Sequence, residues 1–510
     1  MSVNLRLVPY MKTRQLFTKD CVCVFHFFMM VAVSFASGCK PLSMENPCDT
    51  KNVTFLTLDF LRHLAGDQSS FCHSKIRSSS AAGLNPSITS FSLLSPTIQG
   101  TIQDTEIKIY VSYLNLTSLI TSFIYEGVSI KIGDVAQTSG VSVNDFTLPK
   151  IYTVTASDGT SKDYKVTVYT LPPPSSSAAR VYGQADFVSS ISATSATGLN
   201  APFKPVIGVD GLYLADQQNN RALFFPGTST TANRVYGQGG SFTTANTGTV
   251  SPTEFYGVPG PNVPDIAVDG TGVYITDIFG SRVLFFPGTS TTATRIYGQN
   301  GNFTTTAAGT TATTLTNPEG IAIDTTGVYI ADALNHRVLF FSGTSTTASR
   351  VYGQGGSFTS NTVNNGGVTA NSLSNPRGVH VDSEGVYIAD VDNNRVLFYP
   401  GTSTTASRVY GQNGNFTTAN TGTNADLLDG PWFVTSLAGN VFISDRNNHR
   451  ILSYEKTSTT ATRVWGQTDF LSSTSGVTAS KFNFPYGMDI DLTGLYVADR
   501  DNNRVLFFPR

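Results

Sequence analysis

Charge is scarce in this chain. Asp, Glu, Lys and Arg make up only 13% of its 510 residues, against roughly 25% in ordinary soluble domains. Lys plus Arg (33) nearly balances Asp plus Glu (35), and the repeats described below hold no basic cluster. A phosphate backbone would therefore find no positive face, and nucleic acid is not an expected partner. The catalytic signatures are missing too: there is no P-loop, no nucleophile elbow and no His-Glu-x-x-His. Neither Cys-x-x-Cys nor His-x-x-x-His spacing occurs, so a zinc site built from Cys48, Cys72, His63 and His73 is disfavoured. No metal or cofactor is expected. Long apolar runs are limited to Cys21–Phe35, about fifteen residues and short for a bilayer span.

What is abundant is repetition. Six times the chain writes an Asp, four residues, then an Arg: Asp216 with Arg221, Asp277 with Arg282, Asp332 with Arg337, Asp390 with Arg395, Asp445 with Arg450 and Asp499 with Arg504. The arginines lie 61, 55, 58, 55 and 54 residues apart, a period that belongs to stacked or circular architectures. One unit reads Gly320–Asp324, Val328–Asp332, Arg337–Phe341, Arg350–Gln354. Each run is short, rich in β-branched and aromatic residues, and bounded by Gly, Asn, Ser or Thr, so each unit predicts four strands and no helix. The Arg-Val-Tyr-Gly-Gln strand begins already at Arg180, and the last unit ends on its third strand at Phe508. The first strand therefore completes the last blade. The fold class predicted is all-β: a six-bladed β-propeller closed by its N-terminal strand, over residues 179–510, preceded by a small β-sandwich.

The unit resembles the NHL-repeat β-propellers. Asn317-Pro318-Glu319-Gly320-Ile321-Ala322-Ile323-Asp324 and Asn375-Pro376-Arg377-Gly378-Val379-His380-Val381-Asp382 carry the likeness, which recurs in phase. Three copies depart from it, at Lys204-Pro205-Val206, Val263-Pro264-Asp265 and Pro431-Trp432-Phe433.

The N-terminus reads as an export signal over residues 1–38, with Arg6, Lys12, Arg14 and Lys19 ahead of the apolar stretch and Met1 or Met11 as the start. Ala36-Ser37-Gly38-Cys39 resembles a bacterial lipobox, which implies lipidation of Cys39, with plain cleavage after a small residue as the alternative. Residues 39–83 form a tether in which Phe55, Leu58, Leu61 and Leu64 fall at helical spacing and Cys48 can bridge Cys72 in an oxidising compartment. Residues 84–171 alternate with period two at Glu106–Val111, Val128–Ile132, Tyr152–Thr155 and Tyr164–Val168, with a turn at Asp158-Gly159. The last hairpin resembles bacterial cadherin-like, Ig-like sandwich modules. A Pro/Ser linker, 172–178, with a stiff half and a flexible half, marks the boundary.

A constellation repeated in every blade points to structure, so the twelve Asp and Arg residues are assigned to the frame, each pair bridging a turn. Asn219, Asn335, Asn393, Asn447 and Asn502 are expected to take the left-handed turn positions. The links between blades are long (Ala185 to Pro205, Gly239 to Asp265, Asn300 to Gly320, Gly355 to Gly378, Asn413 to Pro431) and share a face with those turns. Such long loops are commonly functional. Along the innermost strand one position reads Gly208, Ala267, Ala322, His380, Thr435, Asp489, and another, beside the Pro, reads Val206, Asp265, Glu319, Arg377, Trp432, Tyr486. His380, Thr435 and Asp489 become candidate channel residues, with Glu319, Arg377, Trp432 and Tyr486 at the mouth. The leading expectation is a monomeric, lipid-anchored envelope protein, outer-membrane or surface-exposed, that binds a protein or glycan through the loop-rich face. A channel lyase or hydrolase and a periplasmic scaffold are the alternatives. A single channel histidine suits a metal-dependent enzyme poorly.

Overall fold

A computed structural model describes residues 85–112, 114–245, 248–256 and 265–510. Residues 1–38, read as an export signal, and residues 39–83, read as a tether, with Cys39, Cys48 and Cys72, lie outside the described residues. No helix among those described is long and apolar enough to cross a membrane.

Two sheets make the first body. One orders Ile98–Gln99, Ser87–Leu94, Leu119–Glu126 and Val143–Asn144; the other orders Thr101–Gln103, Glu106–Val111, Ser161–Thr170, Lys150–Thr155, Ser129–Ile132 and Val135–Ala136. Alternation decides which side chains turn inward: along Glu106–Val111, every second residue is buried. Phe91 and Phe123 of one sheet meet Ile107, Ile109, Tyr152 and Val154 of the other in a shared core, with Phe91 edge-on to Tyr152 at 5.1 Å. The period-two reading found four of the six strands of the larger sheet, all but the short Thr101–Gln103 and Val135–Ala136. It missed Ser87–Leu94 and Leu119–Glu126, and the parallel pairing of Glu106–Val111 with Ser161–Thr170.

The second body is a ring of six four-stranded antiparallel sheets. Five are built from consecutive strands, as in Pro318–Asp324, Gly327–Asp332, Arg337–Ser342 and Arg350–Tyr352. The sixth takes Pro485–Ile490, Gly494–Asp499 and Arg504–Pro509 from the C-terminus and Arg180–Tyr182 from the other end of the ring, with Val181 opposite Leu506. Each innermost strand touches the next, and Pro485–Ile490 touches Pro202–Gly208, which closes the circle. All six residues of Gly327–Asp332 are buried, because each sheet is covered by a neighbour on both faces. An aromatic residue of one blade's fourth strand packs on the third strand of the next. Tyr182 meets Phe225, Tyr236 meets Phe286, Tyr297 meets Phe341, Tyr352 meets Tyr399 and Tyr410 meets Tyr454, at 5.1 to 5.4 Å.

The fourth-strand arginines belong to this frame. Arg234, Arg295, Arg350 and Arg408 lie over Phe224, Phe285, Phe340 and Phe398, with centroid distances of 4.5 to 5.4 Å.

The linker behaves differently from its composition. Ser175 donates its N–H to Pro509, Arg510 Nη1 donates to the Pro172 carbonyl, and Trp465 Nε1 donates to the Ser175 carbonyl. The Ser-rich half expected to be flexible is thus tied to the last blade and to the Trp that replaces Tyr in blade five. The sandwich meets the short-turn face: Ser112 N–H donates to Ala438 O at 3.0 Å, and Thr97 N–H to Glu384 Oε1 at 3.1 Å. These contacts involve the short turns of blades four and five.

Candidate functional site

The recurring Asp and Arg form ion pairs, Nε to Oδ2 at 2.6 to 2.7 Å: Arg221 with Asp216, Arg282 with Asp277, Arg337 with Asp332, Arg395 with Asp390, Arg450 with Asp445 and Arg504 with Asp499. Each pair bridges its own turn, as expected, but the arginine's reach extends further. Arg221, Arg282, Arg337, Arg395, Arg450 and Arg504 are among the largest wholly buried side chains of the chain, and a guanidinium out of water must find an acceptor for every arm of its fork. One carboxylate cannot supply them, so each arginine reaches past its own turn into two loops.

Arg221 donates to the carbonyls of Ser195 and Gly198 in the preceding link and of Phe242 in the following one. Arg282 does the same with Ser251, Glu254 and Phe303. Arg337 takes Thr311, Thr314 and Phe358, and Arg395 takes Thr369, Ser372 and Phe416. Arg450 reaches Asn424, Leu427 and Phe470, with Thr423 as a fourth acceptor. Arg504 reaches Thr478, Lys481 and, across the closure, Phe187. The aspartates are equally occupied. Oδ1 of Asp332 accepts from Thr316 N–H at 2.6 Å, and Oδ2 accepts from Asn335 at 2.8 Å as well as from Arg337.

Two turn expectations need correction. Asn219, Asn335, Asn393 and Asn502 use their side-chain amides to bond the Asp, while the residue after each is left-handed: Asn220, His336, Asn394 and Asn503. In blade five the amide-bearing residue is Asn448, one past Asn447, and His449 is left-handed. The carboxylate takes the amide as a donor, which fixes its place one step earlier in the turn.

Register corrects the innermost strand of the first two blades. Pro202 faces Asp216 as Pro318 faces Asp332, and Val206 faces Tyr213 as Ala322 faces Tyr329. The channel ring is therefore Val206, Ala267, Ala322, His380, Thr435 and Asp489, with Val206 in place of Gly208. The residue after the Pro in blade one is Phe203 rather than Val206. Lys204 and Asp265 take the place of Gly320. A Cβ at Gly320 would lie 1.9 Å from the Arg377 carbonyl, so side chains fit this ring only where the strands stand back. Lys204 Nζ meets Asp265 Oδ1 at 2.7 Å, inside the pore.

Below this pair lies a cavity of about 240 Å³, bordered by Lys204, Ala267, Ala322, His380, Thr435 and Asp489. Burial pushes Asp265 and Asp489 up to about 6 and His380 down to about 4. Asp489 is held by the backbone N–H groups of Ile207 and Ile490. His380 Nε2 lies 3.0 Å from Ser436 Oγ. Because Ser436 spends its only proton on Asp382, at 2.6 Å, the imidazole must be the donor. Lys456 then bridges Asp382 at 2.8 Å and Glu384 at 3.0 Å. The channel histidine thus begins a polar chain that runs through the wall to the sandwich contact. No group of His, Cys, Asp and Glu able to hold a metal occurs among the described residues.

At the loop-rich end the four expected mouth residues meet one another. Glu319 pairs with Arg377, Arg377 lies over Trp432 at 4.7 Å, and Trp432 packs on Tyr486 at 4.7 Å. Phe203 closes the cluster, 4.8 Å from Tyr486. Trp432 is 9% exposed and Glu319 6%, so they floor and plug the mouth, while Tyr486 remains partly exposed. Arg446 stacks on Trp432, Tyr486 and Phe484 at 4.5, 5.1 and 5.4 Å, and Arg500 on Tyr486 at 4.9 Å. Sequence reasoning passed over Phe203, Phe484, Arg446 and Arg500. The two arginines carry a signal: both follow the turn Asp directly, where other blades have Gln217, Ile278, Ala333 and Val391. Trp432 Nε1 and the Nε atoms of Arg377, Arg446 and Arg500 are buried without a hydrogen-bond partner among the described residues.

Residues 88–168 match the family model described as SGBP, N-terminal, the amino-terminal part of surface glycan-binding proteins. No curated protein matches the chain. Among solved structures, virginiamycin B lyase from Staphylococcus aureus is similar at 10% identity, with 84% of this chain and 100% of that chain covered and a TM-score of 0.35. The computationally designed Ika8 protein is similar at 9% identity, with coverage of 84% and 97% and a TM-score of 0.33. A chain of a nidogen/laminin complex is similar at 16% identity, with coverage of 52% and 81% and a TM-score of 0.35.

Proposed function

We propose that this chain is a cell-surface glycan-binding protein whose propeller takes the sugar at the centre of its loop-rich face. The SGBP-type module at residues 88–168 supports the glycan class. One observation carries the location: the cluster of Phe203, Trp432, Tyr486 and Phe484, overlaid by Arg446 and Arg500, at the axis of the ring. A pyranose has an apolar C–H face and a rim of hydroxyls. Phe203 and Trp432 are buried as a floor, and the partly exposed Tyr486 and Phe484 with the arginine N–H groups beside them suit both. The sandwich touches the opposite, short-turn face, so the loop-rich face is left to the ligand.

The same proposal anchors the chain through an acylated Cys39, with one copy sufficient for binding. Fatty-acid labelling that leaves the intact chain unmarked would remove the anchor from it.

Tyr486→Ala is the direct test of the site. Truncating a central aromatic contact costs on the order of 2 kcal/mol, about thirtyfold in affinity. Calorimetry against a panel of polysaccharides should show that loss for whichever glycan the parent binds, with the melting transition kept. Undiminished affinity would move the site off the propeller mouth.

A further inference from the structure

We infer that the glycan is acidic and that Arg446 receives its carboxylate or sulfate. This rests on the glycan reading above and specifies the class of sugar.

The inference starts from what Arg446 lacks. Its guanidinium lies over three rings, Trp432, Tyr486 and Phe484, yet among the described residues it donates no side-chain hydrogen bond and pairs with no carboxylate. The surrounding acids are already engaged. Glu319 pairs with Arg377, Asp501 with Arg500 at 2.7 Å, Asp429 accepts from Asn447 at 2.8 Å, and Asp392 accepts from Ser374 and Asn375 at 3.3 Å. A partly exposed guanidinium without an acceptor, seated over aromatic rings, is prepared for an oxyanion that accepts from its Nη groups. Its stacking fixes the orientation in advance, so little freedom is lost on binding.

A second observation points to the same place. Phe484 has φ of 53°, in the left-handed region, where the equivalent residues of blades one, three, four and five are Ala201, Asn317, Asn375 and Gly430. A bulky side chain is disfavoured there. Its ring is edge-on to His449 at 4.6 Å, and its N–H donates to His449 Nδ1 at 3.0 Å. The left-handed backbone is common to these blades; what is particular to the last one is a bulky ring at that position, which its surroundings must hold in place. That ring is one of the three that hold Arg446.

The test compares an oligogalacturonate with the same oligomer after its carboxylates have been reduced to hydroxymethyl groups, and a sulfated galactan with its desulfated form, by calorimetry on the full chain. At least one charged member should bind about tenfold or more tighter than its uncharged twin, with the advantage shrinking as salt rises. Which pair shows it separates carboxylate from sulfate. Arg446→Gln should erase the advantage. Phe484→Asn, which installs the residue of blades three and four, should fold at least as well as the parent and also shrink the advantage. Equal binding of charged and uncharged twins overturns the acidic inference and leaves the glycan reading standing, as does an advantage that survives Arg446→Gln. Binding of no glycan in a wider panel overturns both.

Discussion

Arg337→Leu should lower the free energy of unfolding by about 3–5 kcal/mol, the usual cost of removing one partner from a buried ion pair. The replacement strands Asp332, which has no exposed surface and keeps only Asn335 and the Thr316 N–H as donors. It also strands the carbonyls of Thr311, Thr314 and Phe358. For that reason Asp332→Leu/Arg337→Leu should recover little of the loss, unlike an isolated pair replaced by apolar residues of similar volume. Denaturant melts of the two variants measure this. Hydrogen exchange gives the spatial check, since protection should fall in both links that flank blade three. A loss confined to one link, or full recovery in the double variant, would show that the pair holds only itself. Arg221, Arg282, Arg395 and Arg450 make the same kind of contacts in their own blades, so the result should carry over to each.

Deleting residues 504–510 should abolish cooperative folding of the propeller. The segment supplies the third strand of the last blade, pairs with Arg180–Tyr182 and carries Val505, Leu506, Phe507 and Phe508, all buried. At about 1.5–3 kcal/mol for each buried apolar side chain, the loss is on the order of 6–12 kcal/mol, comparable to the roughly 5–15 kcal/mol that holds a domain together. Without it the remaining strands of that blade present open edges, so aggregation should accompany the loss. Circular dichroism melts of the truncated chain check this. A cooperative transition near that of the parent would mean the ring does not depend on its closing strand.

The closing strand was legible because the strand pattern recurs in a fixed phase, and a chain that enters on a fourth strand and leaves on a third permits one simple closure. The partnership of each Asp with its Arg was legible from the same phase, but the arginines' second and third acceptors were not, since backbone carbonyls of distant loops carry no sequence mark. Register was legible only where the Gly after Pro is kept. In Ala201-Pro202-Phe203-Lys204-Pro205 two prolines compete and the Gly is gone, so the sequence offers Pro205 while backbone pairing selects Pro202. The reason is physical: Lys204 fills the Gly position by reaching across to Asp265, a compensation between blades that no single copy reveals. The chain from His380 through Ser436, Asp382 and Lys456 to Glu384 was hidden for the same reason, since its members come from two blades. At the mouth, the variable residues Glu319, Arg377, Trp432 and Tyr486 stand out against the repeat. Arg446 and Arg500 stand out equally, but in a turn whose repeated Asp and Arg point to the frame.

The chain has two tryptophans, Trp432 at the mouth and Trp465 in blade five, so a Trp465→Phe variant places the whole indole signal in the candidate site. Titrating that variant with a glycan already shown by calorimetry to bind tests the central claim most directly. A saturable change in emission, with the same midpoint as the calorimetric curve, is the expected result. Binding that proceeds with the Trp432 emission unmoved would contradict it.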